Sequence, residues 1–551
     1  MKRFTSLVAA VLSVMVVSAS VMPAAAGPRA RVAQVDAESA PDDSDGPEAK
    51  AAALFKLDDI IEVAVRLSPD IARAKVDRDV AQGSAGAARK AQSWILSAST
   101  SYQREAVGAD TPDNRLSPLQ QVADDKITAS LGLGRNLPTG GNISLELGLS
   151  HDRQELFVPQ ELLTGTNAAM GGQTAPQSEC GETPDIFCQD QASAKITLKQ
   201  PIARGLGSEI ALADERRGDL AAAEATVKAQ LAAEEMIRDL VSAYWDLAYA
   251  AYEVDVRAMS LAEAKKQDQL TRQEMRAGTA AQTALDTVTY EIAVRDEGLI
   301  TAKLEFEKKS LELRQKAGLE IGRRDIVVRP DEPFEIGDED WSVDDILAKS
   351  HKINRQLTSV MLEKKIADVD VAVAHDATLP QIDLTLSGAL LGTGDTSSAA
   401  FSGAGGGDGF GYQVVAGLQM SFELSGAAHA AETAANAKRH RLDIDRVDLE
   451  RKIDAQVVSS VKQLMSGRTR VALTDKAIAI AQENVKTERA SFLAQRSTNF
   501  QVMQRLAQVS DAQLRRGRAI ADYHIAVAQL QYLSGTLLDA YRIHVRPRTR
   551  R

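Results

Sequence analysis

The sequence has few aromatic residues. It also has a long central span without proline, and no long apolar run after the N-terminal segment. Aromatic residues make up 4% of the 551 residues, and no proline occurs between Pro201 and Pro330. That proline-free span permits very long helices. Beyond the N-terminal segment, no stretch approaches the roughly 20 apolar residues of a membrane-spanning helix. If the chain sits in a membrane, it must therefore do so with strands.

Composition also limits the classes of partner. The net charge is −11 and 26% of residues are charged. This composition suits long alanine-rich coiled helices better than a thick globular core. An acidic balance argues against nucleic-acid binding.

The N-terminal residues 1–26 are typical of a cleaved secretory signal. Lys2 and Arg3 precede an apolar run from Leu7 to Met22, and three alanines stand before Gly27. A membrane anchor is the alternative, which the short run and the small-residue ending disfavour. No cysteine follows the run, so lipid attachment is not expected. Residues 27–53, rich in Ala, Asp and Glu, are predicted to be a disordered linker.

A long helical hairpin is predicted from Leu206 to about Gly318. Apolar residues recur every seven positions, a spacing that keeps one stripe against a partner helix. A break at 277–279 separates the two arms, and the incoming arm would span roughly 100 Å. The stripe is formed by Leu240, Leu247, Val254, Leu261 and Met275.

The hairpin pattern returns 217 residues later, which predicts two internal repeats. Upstream, Asp58–Ile61 matches Asp344–Leu347 at an offset of 286, so the first half carries about 69 extra residues in its non-helical part. The repeated stripe is formed by Val457, Leu464, Val471, Ile478, Val485 and Phe492.

Runs of alternating apolar and polar residues predict strands, four in the first half and two in the second. Such strands could be half-buried on a soluble core, or could face lipid in a closed barrel. The barrel is favoured because each set of strands leads directly into a helix of about 100 Å. The smallest barrels have about eight strands, so several chains must pool theirs. The runs lie at 94–102, 127–133, 143–149, 194–199, 382–387 and 414–423.

These patterns divide the chain into predicted segments. After the signal at 1–26 and the linker at 27–53, each half has short periplasmic helices, barrel strands with loops, and a long hairpin. The segments are 54–92, 93–205 and 206–320 in the first repeat, a linker at 321–340, then 341–378, 379–424 and 425–540, and a basic tail at 541–551. The tail could contact anionic lipid, although a solvated end is the simpler interpretation.

Three short segments, together with the repeat pattern, resemble the TolC-like outer membrane efflux protein family. They are Ala243–Leu247 (AYWDL), Gln200-Pro201 ahead of Gly205-Leu206-Gly207, and the turn Ala277-Gly278-Thr279. The resemblance covers nearly everything after residue 55. It implies a homotrimer with a 12-stranded outer-membrane β-barrel continuous with a periplasmic α-helical coiled-coil barrel. The first half has four strand candidates where the family usually has two, so 127–149 either adds a hairpin to the barrel or decorates a loop.

The resemblance also implies a function and a location. The chain would be a passive channel in the outer membrane of a Gram-negative bacterium, with a large periplasmic portion. It would serve a tripartite efflux or type I secretion system, bound to a periplasmic adaptor and an inner-membrane pump. No enzymatic activity, cofactor or metal is expected. The alternative is a soluble periplasmic coiled-coil adaptor or scaffold.

In the family the two hairpin turns form the periplasmic tip, which contacts the adaptor. By position these turns are Arg276-Ala277-Gly278-Thr279 and, without a glycine, Gln495-Arg496-Ser497. A turn that only reverses two helices is the simpler interpretation of the same residues. Asp286 and Arg505 lie just past the turns and are candidates for the tip constriction. They could instead form pairs between helices.

Cys180 and Cys188 are the only cysteines and lie in one polar loop. In an exported chain they predict a disulfide. Metal binding is the weaker alternative, because two thiols do not complete a site. Gly403–Gly411 lacks the Lys-Ser/Thr of a phosphate-binding loop. No Ser/His/Asp arrangement can be assembled from the sequence.

Overall fold

The computed structural model describes residues 53–106, 120–157, 186–278, 281–319, 328–331, 333–337 and 341–543. The chain divides into a unit at Met1–Ala51, which lies outside these ranges, and a unit at Ala52–Arg551, to which everything below refers. The predicted signal and nearly all of the predicted linker therefore lie outside the described residues. The basic residues from 544 onward do as well.

The described chain is mainly helical and contains one large sheet. The helices are α1 (Leu57–Leu67), α2 (Pro69–Lys90), α3 (Ser208–Ala211), α4 (Ala213–Arg276), α5 (Gln282–Lys316), α6 (Val343–Ile353), α7 (Arg355–Asp376), α8 (Ser397–Ala404), α9 (Ala427–Leu493), α10 (Asn499–Leu533) and α11 (Leu537–Ala540). The strands are β1 (Ala53–Phe55), β2 (Ile95–Ala106), β3 (Gln120–Asn136), β4 (Asn142–Phe157), β5 (Ile186–Pro201), β6 (Val328–Pro330), β7 (Gln381–Gly394) and β8 (Phe410–Ser421).

Two very long helices, α4 with 64 residues and α9 with 67, dominate the fold. At 1.5 Å per residue each extends about 100 Å. Each is followed by a 35-residue return helix, α5 or α10. None of the described helices has the length and apolarity needed to cross a membrane.

Matching elements recur at the two offsets read from the sequence. Helices α1 and α6 have 11 residues each and begin 286 positions apart, as do α2 and α7 with 22 residues each. The return helices begin 217 positions apart, at Gln282 and Asn499. Both end before a glycine with a left-handed φ, Gly318 at 70° and Gly535 at 69°. A Cβ there would meet backbone oxygens at 3.0 and 2.7 Å, so any other residue would incur both backbone strain and a close approach.

All six alternating runs form one antiparallel sheet, with strand order β2-β3-β4-β5-β7-β8. The hairpin β3–β4 lies within the sheet, between β2 and β5, and does not decorate a loop. The strands extend beyond the alternating runs because backbone hydrogen bonds continue where the side-chain pattern stops: β3 has 17 residues and β4 has 16. A separate parallel pair joins β1 to β6.

The main apolar core lies where α4 and α10 pack together near the middle of the helical region. Tyr244 and Tyr523 are among its largest fully buried side chains. The connecting segment 333–337 closes over it, with Phe334 and Ile336 packed against the cluster. Tyr523 Oη and Arg468 Nη2 each donate to the carbonyl of Gly337 at 3.0 Å. This segment is therefore held to the helices by hydrogen bonds as well as by apolar contact.

Candidate functional site

The first hairpin turn begins where α4 ends at Arg276. The Ala277 N–H donates to Gln273 O at 3.0 Å, and the Gly278 N–H donates to Met275 O at 3.1 Å. Gly278 has a φ of 75°, and a Cβ built on it would have no neighbour within 4 Å. Glycine is therefore suited to this position by its backbone angle and not by lack of space. Thr279 lies outside the described residues.

The second turn has the same left-handed geometry without a glycine. Gln495 has a φ of 58°. Its N–H donates to Phe492 O at 2.9 Å, and the Arg496 N–H donates to Ser491 O at 2.8 Å, which closes the helix end in the manner of a Schellman motif. The hydroxyl of Ser497 lies within hydrogen-bond distance of Glu488 and of Gln501, the latter at 2.7 Å. The lack of a glycine at the second turn therefore does not change its geometry.

Asp286 and Arg505 do not pair with each other. Asp286 accepts a hydrogen bond from Gln282 Nε2 at 2.9 Å within its own helix. Arg505 Nε lies 3.5 Å from Glu488 Oε2, and its Nη1 donates to Gln508 at 3.1 Å. The Arg505–Glu488 pair does cross between helices, from α10 to α9. Because Arg505 is partly exposed, the pair contributes about 0 to 1 kcal/mol.

A buried polar network near the turns joins the two hairpins. Asn499, the first residue of α10, accepts from Gln267 Nε2 at 2.8 Å and donates to Thr271 Oγ1 at 2.9 Å. All three side chains are buried. Sequence reasoning missed this network. The available signal was Gln267 and Thr271 four residues apart on one face of α4, in an otherwise apolar stripe.

A second link, formed by Arg295 of α5, lies close to this network. Its Nη2 donates to Met503 O at 3.0 Å, and its Nη1 pairs with Glu291 at 3.0 Å. Arg295 thereby fastens the return arm of the first hairpin to that of the second. With Asn499, it holds the ends of both hairpins together within one chain.

The six-stranded sheet has one apolar and one polar face. On the apolar face, Leu131, Leu145, Leu147 and Ile196 remain between 41% and 51% exposed. On the polar face, Ser99 and Ser130 hydroxyls lie 2.8 Å apart, and Lys199 Nζ lies 2.9 Å from Asp383 Oδ2. Large exposed apolar patches on a single chain mark surfaces that contact lipid or another chain.

A short helix, α8, covers one end of the apolar face. Its Ser397 hydroxyl donates to Asp190 Oδ2 at 2.6 Å, and Asp190 Oδ1 lies 2.5 Å from His151 Nδ1. These residue types are those of a hydrolase triad, but here the serine donates to the aspartate and not to the histidine. Among the described residues the hydroxyl has no imidazole as its acceptor, so the cluster holds α8 to the strands and is not arranged as a catalytic triad.

Cys188 lies in β5 and is disulfide-bonded. Cys180 lies outside the described residues, so its pairing with Cys188 stays a prediction. Within the described ranges, no group of three or more His, Cys, Asp or Glu side chains is arranged to hold a metal ion.

The fold is that of bacterial outer-membrane channels. No family model and no curated protein sequence matches the chain. Among solved structures, the Campylobacter jejuni CmeC outer membrane channel superposes with a TM-score of 0.62 at 11% identity, over 87% of this chain and 86% of that one. The VceC outer membrane protein of Vibrio cholerae gives 0.61 at 13% identity, over 87% and 96% of the two chains.

A third solved structure is similar to the same extent. The MtrE outer membrane channel of Neisseria gonorrhoeae in its open state gives 0.61 at 11% identity, over 88% and 89% of the two chains. CmeC and MtrE are outer membrane channels, VceC is an outer membrane protein, and their shared fold is TolC-like. The resemblance read from the sequence is thus confirmed at the level of the fold.

Proposed function

We propose that this chain forms a trimeric outer-membrane channel that conducts cargo passively from the periplasm to the exterior. The observation that carries the proposal is the direct joining of a two-faced sheet, apolar on one side, to hairpin helices of about 100 Å. A sheet that leaves one face apolar suits lipid on that side and water on the other.

The long helices support assembly into a hollow cylinder. Leu304 and Ile300 on α5, and Leu473 and Ile480 on α9, are between 52% and 64% exposed in the single chain. Apolar side chains along the outside of a long helix require a partner surface. Neighbouring copies of the same hairpins would cover them, and the cylinder would continue the bore enclosed by the sheet.

We further propose that the chain consists of two repeats of one strand-and-hairpin unit. The matching lengths and offsets of α1 with α6, α2 with α7 and α5 with α10 support this. The first repeat differs by its additional hairpin, β3–β4. Two similar hairpins per chain would give the cylinder six alternating units in a trimer.

The two hairpin turns are the proposed contacts for a periplasmic adaptor that links the channel to an inner-membrane pump. The turns would present Arg276, Ala277, Gly278 and Thr279 on one hairpin and Gln495, Arg496 and Ser497 on the other. Just above them, Asp286 and Arg505 would lie near the constriction. The channel belongs to a tripartite efflux or type I secretion system, in which the pump supplies the energy.

The alternative is a soluble periplasmic coiled-coil adaptor or scaffold. Extraction separates the two functions. A channel requires detergent for release from outer membranes, migrates as a trimer and gives discrete conductance steps in planar bilayers. A monomer released without detergent and silent in bilayers would contradict the channel.

A pair of substitutions tests which sheet face contacts lipid. Leu145→Arg places a charge on the apolar face, at a cost that reaches about 2 to 4 kcal/mol at mid-bilayer depth and is smaller nearer the interface. Ser144→Arg places the same charge one residue away on the polar face. Membrane assembly is expected to fail for Leu145→Arg and to persist for Ser144→Arg. The reverse result would contradict the proposed orientation.

A further inference from the structure

The sheet has two free edges of matched length. Strand β2 is the first and β8 the last in the order β2-β3-β4-β5-β7-β8, so each has a strand partner on one side only among the described residues. Both edge strands contain 12 residues. A strand edge carries a row of unpaired backbone N–H and C=O groups. Those groups cannot stay unpaired in a bilayer, where no water is present to satisfy them.

The two edges also run in opposite directions. Strand β2 begins five positions after α2 ends at Lys90, so it runs away from the helices. Strand β8 ends at Ser421 and leads into α9 at Ala427, so it runs towards them. The β8 edge of one copy can therefore pair with the β2 edge of the next in the antiparallel sense used throughout the sheet. One chain with six strands cannot close alone, since the smallest barrels have about eight.

The hairpin β3–β4 is paired along its length with the strands on both sides of it. The pairing of β2 with β3 continues from Ile95↔Gly134 to Ala106↔Ala123. The pairing of β4 with β5 continues from Asn142↔Lys199 to Glu155↔Ile186. Each hairpin strand has 16 or 17 residues, more than the roughly 9 to 11 that cross a bilayer. The apolar side chains of β3 and β4 are about as exposed as those of β5 and lie on the same face of the sheet.

We propose that three copies of this chain close a single barrel of 18 strands, with β8 of each copy paired to β2 of the next. The proposal rests on the trimeric channel proposed above. It replaces the 12 strands that the family resemblance implies. With strands about 4.8 Å apart and tilted about 40°, 18 strands give a barrel about 36 Å in diameter, against about 24 Å for 12.

The wider barrel has a functional consequence. Barrels of 16 to 18 strands leave an aqueous channel through the middle. The membrane part of this channel therefore passes large hydrated cargo without further opening. Selection among cargoes falls to the helical end.

Electron cryomicroscopy of the full-length channel in lipid nanodiscs counts copies and strands separately. Three copies and 18 strands support the proposal. Three copies and 12 strands, with β3–β4 outside the wall, overturn it and leave the channel itself intact. A particle without a transmembrane barrel overturns both the proposal and the channel.

Removing the hairpin gives an independent test. Deleting 120–157 brings β2 beside β5, and these run in opposite directions, so a barrel of 12 strands can still close. In planar bilayers, the largest polyethylene glycol that enters from the outer side is expected to fall in diameter by at least about a third, because side chains take the same width from the bore of both barrels. An unchanged size limit in the assembled deletion channel overturns the proposal.

If the deletion variant does not assemble, cross-linking tests the β8–β2 seam between copies, which the proposal requires. Ser99→Cys on β2 is combined in turn with Gln413→Cys, Val415→Cys, Gly417→Cys and Gln419→Cys, all on the polar face of β8. At least one pair is expected to give covalent dimers and trimers on non-reducing gels. The control is Ser99→Cys with Ser130→Cys, whose side chains are neighbours within one chain, and it should give monomers only. Monomers from every pair overturn the proposal.

Discussion

Trp245 and His524 stack face to face, with ring centroids 3.6 Å apart and ring planes at 3° to one another. Trp245 belongs to α4 of the first hairpin and His524 to α10 of the second. His524 Nε2 also lies 2.6 Å from the carbonyl of Glu335, to which it donates. Through these two contacts, His524 joins both hairpins and the segment 333–337.

We predict that His524 makes the fold less stable in acid. Burial lowers the pKa of His524 below its usual value. The native state therefore favours neutral imidazole, and its stabilisation is present above pH 6.5, the unfolded-state pKa, and is lost as the pH falls below that value. His524→Phe keeps an aromatic ring on Trp245 and removes the titrating group.

The measurement is the apparent Tm of the detergent-solubilised channel between pH 7.5 and 5. The decline in acid should be smaller in His524→Phe than in the native channel. His440→Phe, on an exposed part of α9, is the matched control and should keep the native decline. Equal pH profiles for all three proteins would contradict the role of His524.

Glu234 is expected to act in the opposite sense. This buried α4 carboxyl pairs with Arg355. Burial outweighs the attraction of Arg355 and raises the pKa of Glu234 to about 7. Because the native state holds the proton more tightly than the unfolded chain, the stabilisation is present at acid pH and is lost as the pH rises through about 7.

Glu234→Gln should flatten that part of the pH profile. The native loss between pH 5 and 8 is expected to be on the order of 3 kcal/mol at most. Glu297→Gln, at an exposed position on α5, should leave the profile unchanged. The readout is again apparent Tm against pH, and a native-like slope in Glu234→Gln would rule out this assignment.

Gly278→Val is expected to impair export while trimers still form. The φ of 75° suits a β-branched residue poorly, so the turn must rearrange although space is available. Gly207→Val is the matched control, since its φ of 97° is equally unfavourable and its surroundings equally open, but it lies at the sheet end. Export in a complemented native host and trimer yield are measured together. Undiminished export in Gly278→Val would contradict the proposal that this turn contacts the adaptor.

Gln495→Gly is expected to stabilise the second turn by about 1 kcal/mol or less. A glycine adopts the φ of 58° without the steric cost that glutamine incurs, although it gains freedom in the unfolded chain. Hydrogen exchange of the Gln495 and Arg496 amides should slow, because both are bonded in the turn. Gln495→Val should change the exchange in the opposite direction. Faster exchange in the glycine variant would contradict the proposal that Gln495 is strained by its left-handed backbone angle.

Asn499→Ala is expected to loosen the junction between the hairpins at a cost of about 1 to 3 kcal/mol. The buried amide of Gln267 loses its acceptor, and burial without a partner is costly. Replacing Gln267 with Leu in the same variant should recover part of that loss. A double-mutant cycle on apparent Tm measures the coupling, and strictly additive effects would contradict the network.

The helical hairpins could be read from the sequence because their signals are local. The seven-residue spacing places Leu240, Leu247 and Leu261 on one buried face of α4, as the structure shows. The alternating runs likewise indicated the six strands. Their ends were missed because the pairing of backbone groups continues through residues such as Asp125 and Arg153, whose side chains carry no apolar alternation.

The candidate site was only partly predictable. The turn positions followed from the offset of 217 between Gly278 and Gln495, but the sequence, which has no glycine at the second turn, did not indicate that Gln495 adopts a left-handed backbone angle. Backbone hydrogen bonds to Phe492 and Ser491 hold Gln495 in the left-handed region. Nothing in the local sequence pairs Asn499 with Gln267, which are far apart along the chain.

The sequence by itself determined the periodic elements: where the helices run, which strand faces are apolar and which offsets relate the two halves. Periodicity is a property of neighbouring residues, so one chain is enough to read it. Only the tertiary structure decided that β3–β4 enters the sheet between β2 and β5. It also decided that the two hairpins are joined by the hydrogen bonds of Asn499 and by the stacking of Trp245 on His524. Strand order and buried contacts depend on which distant segments satisfy each other's backbone and side-chain groups, and no local pattern records that choice.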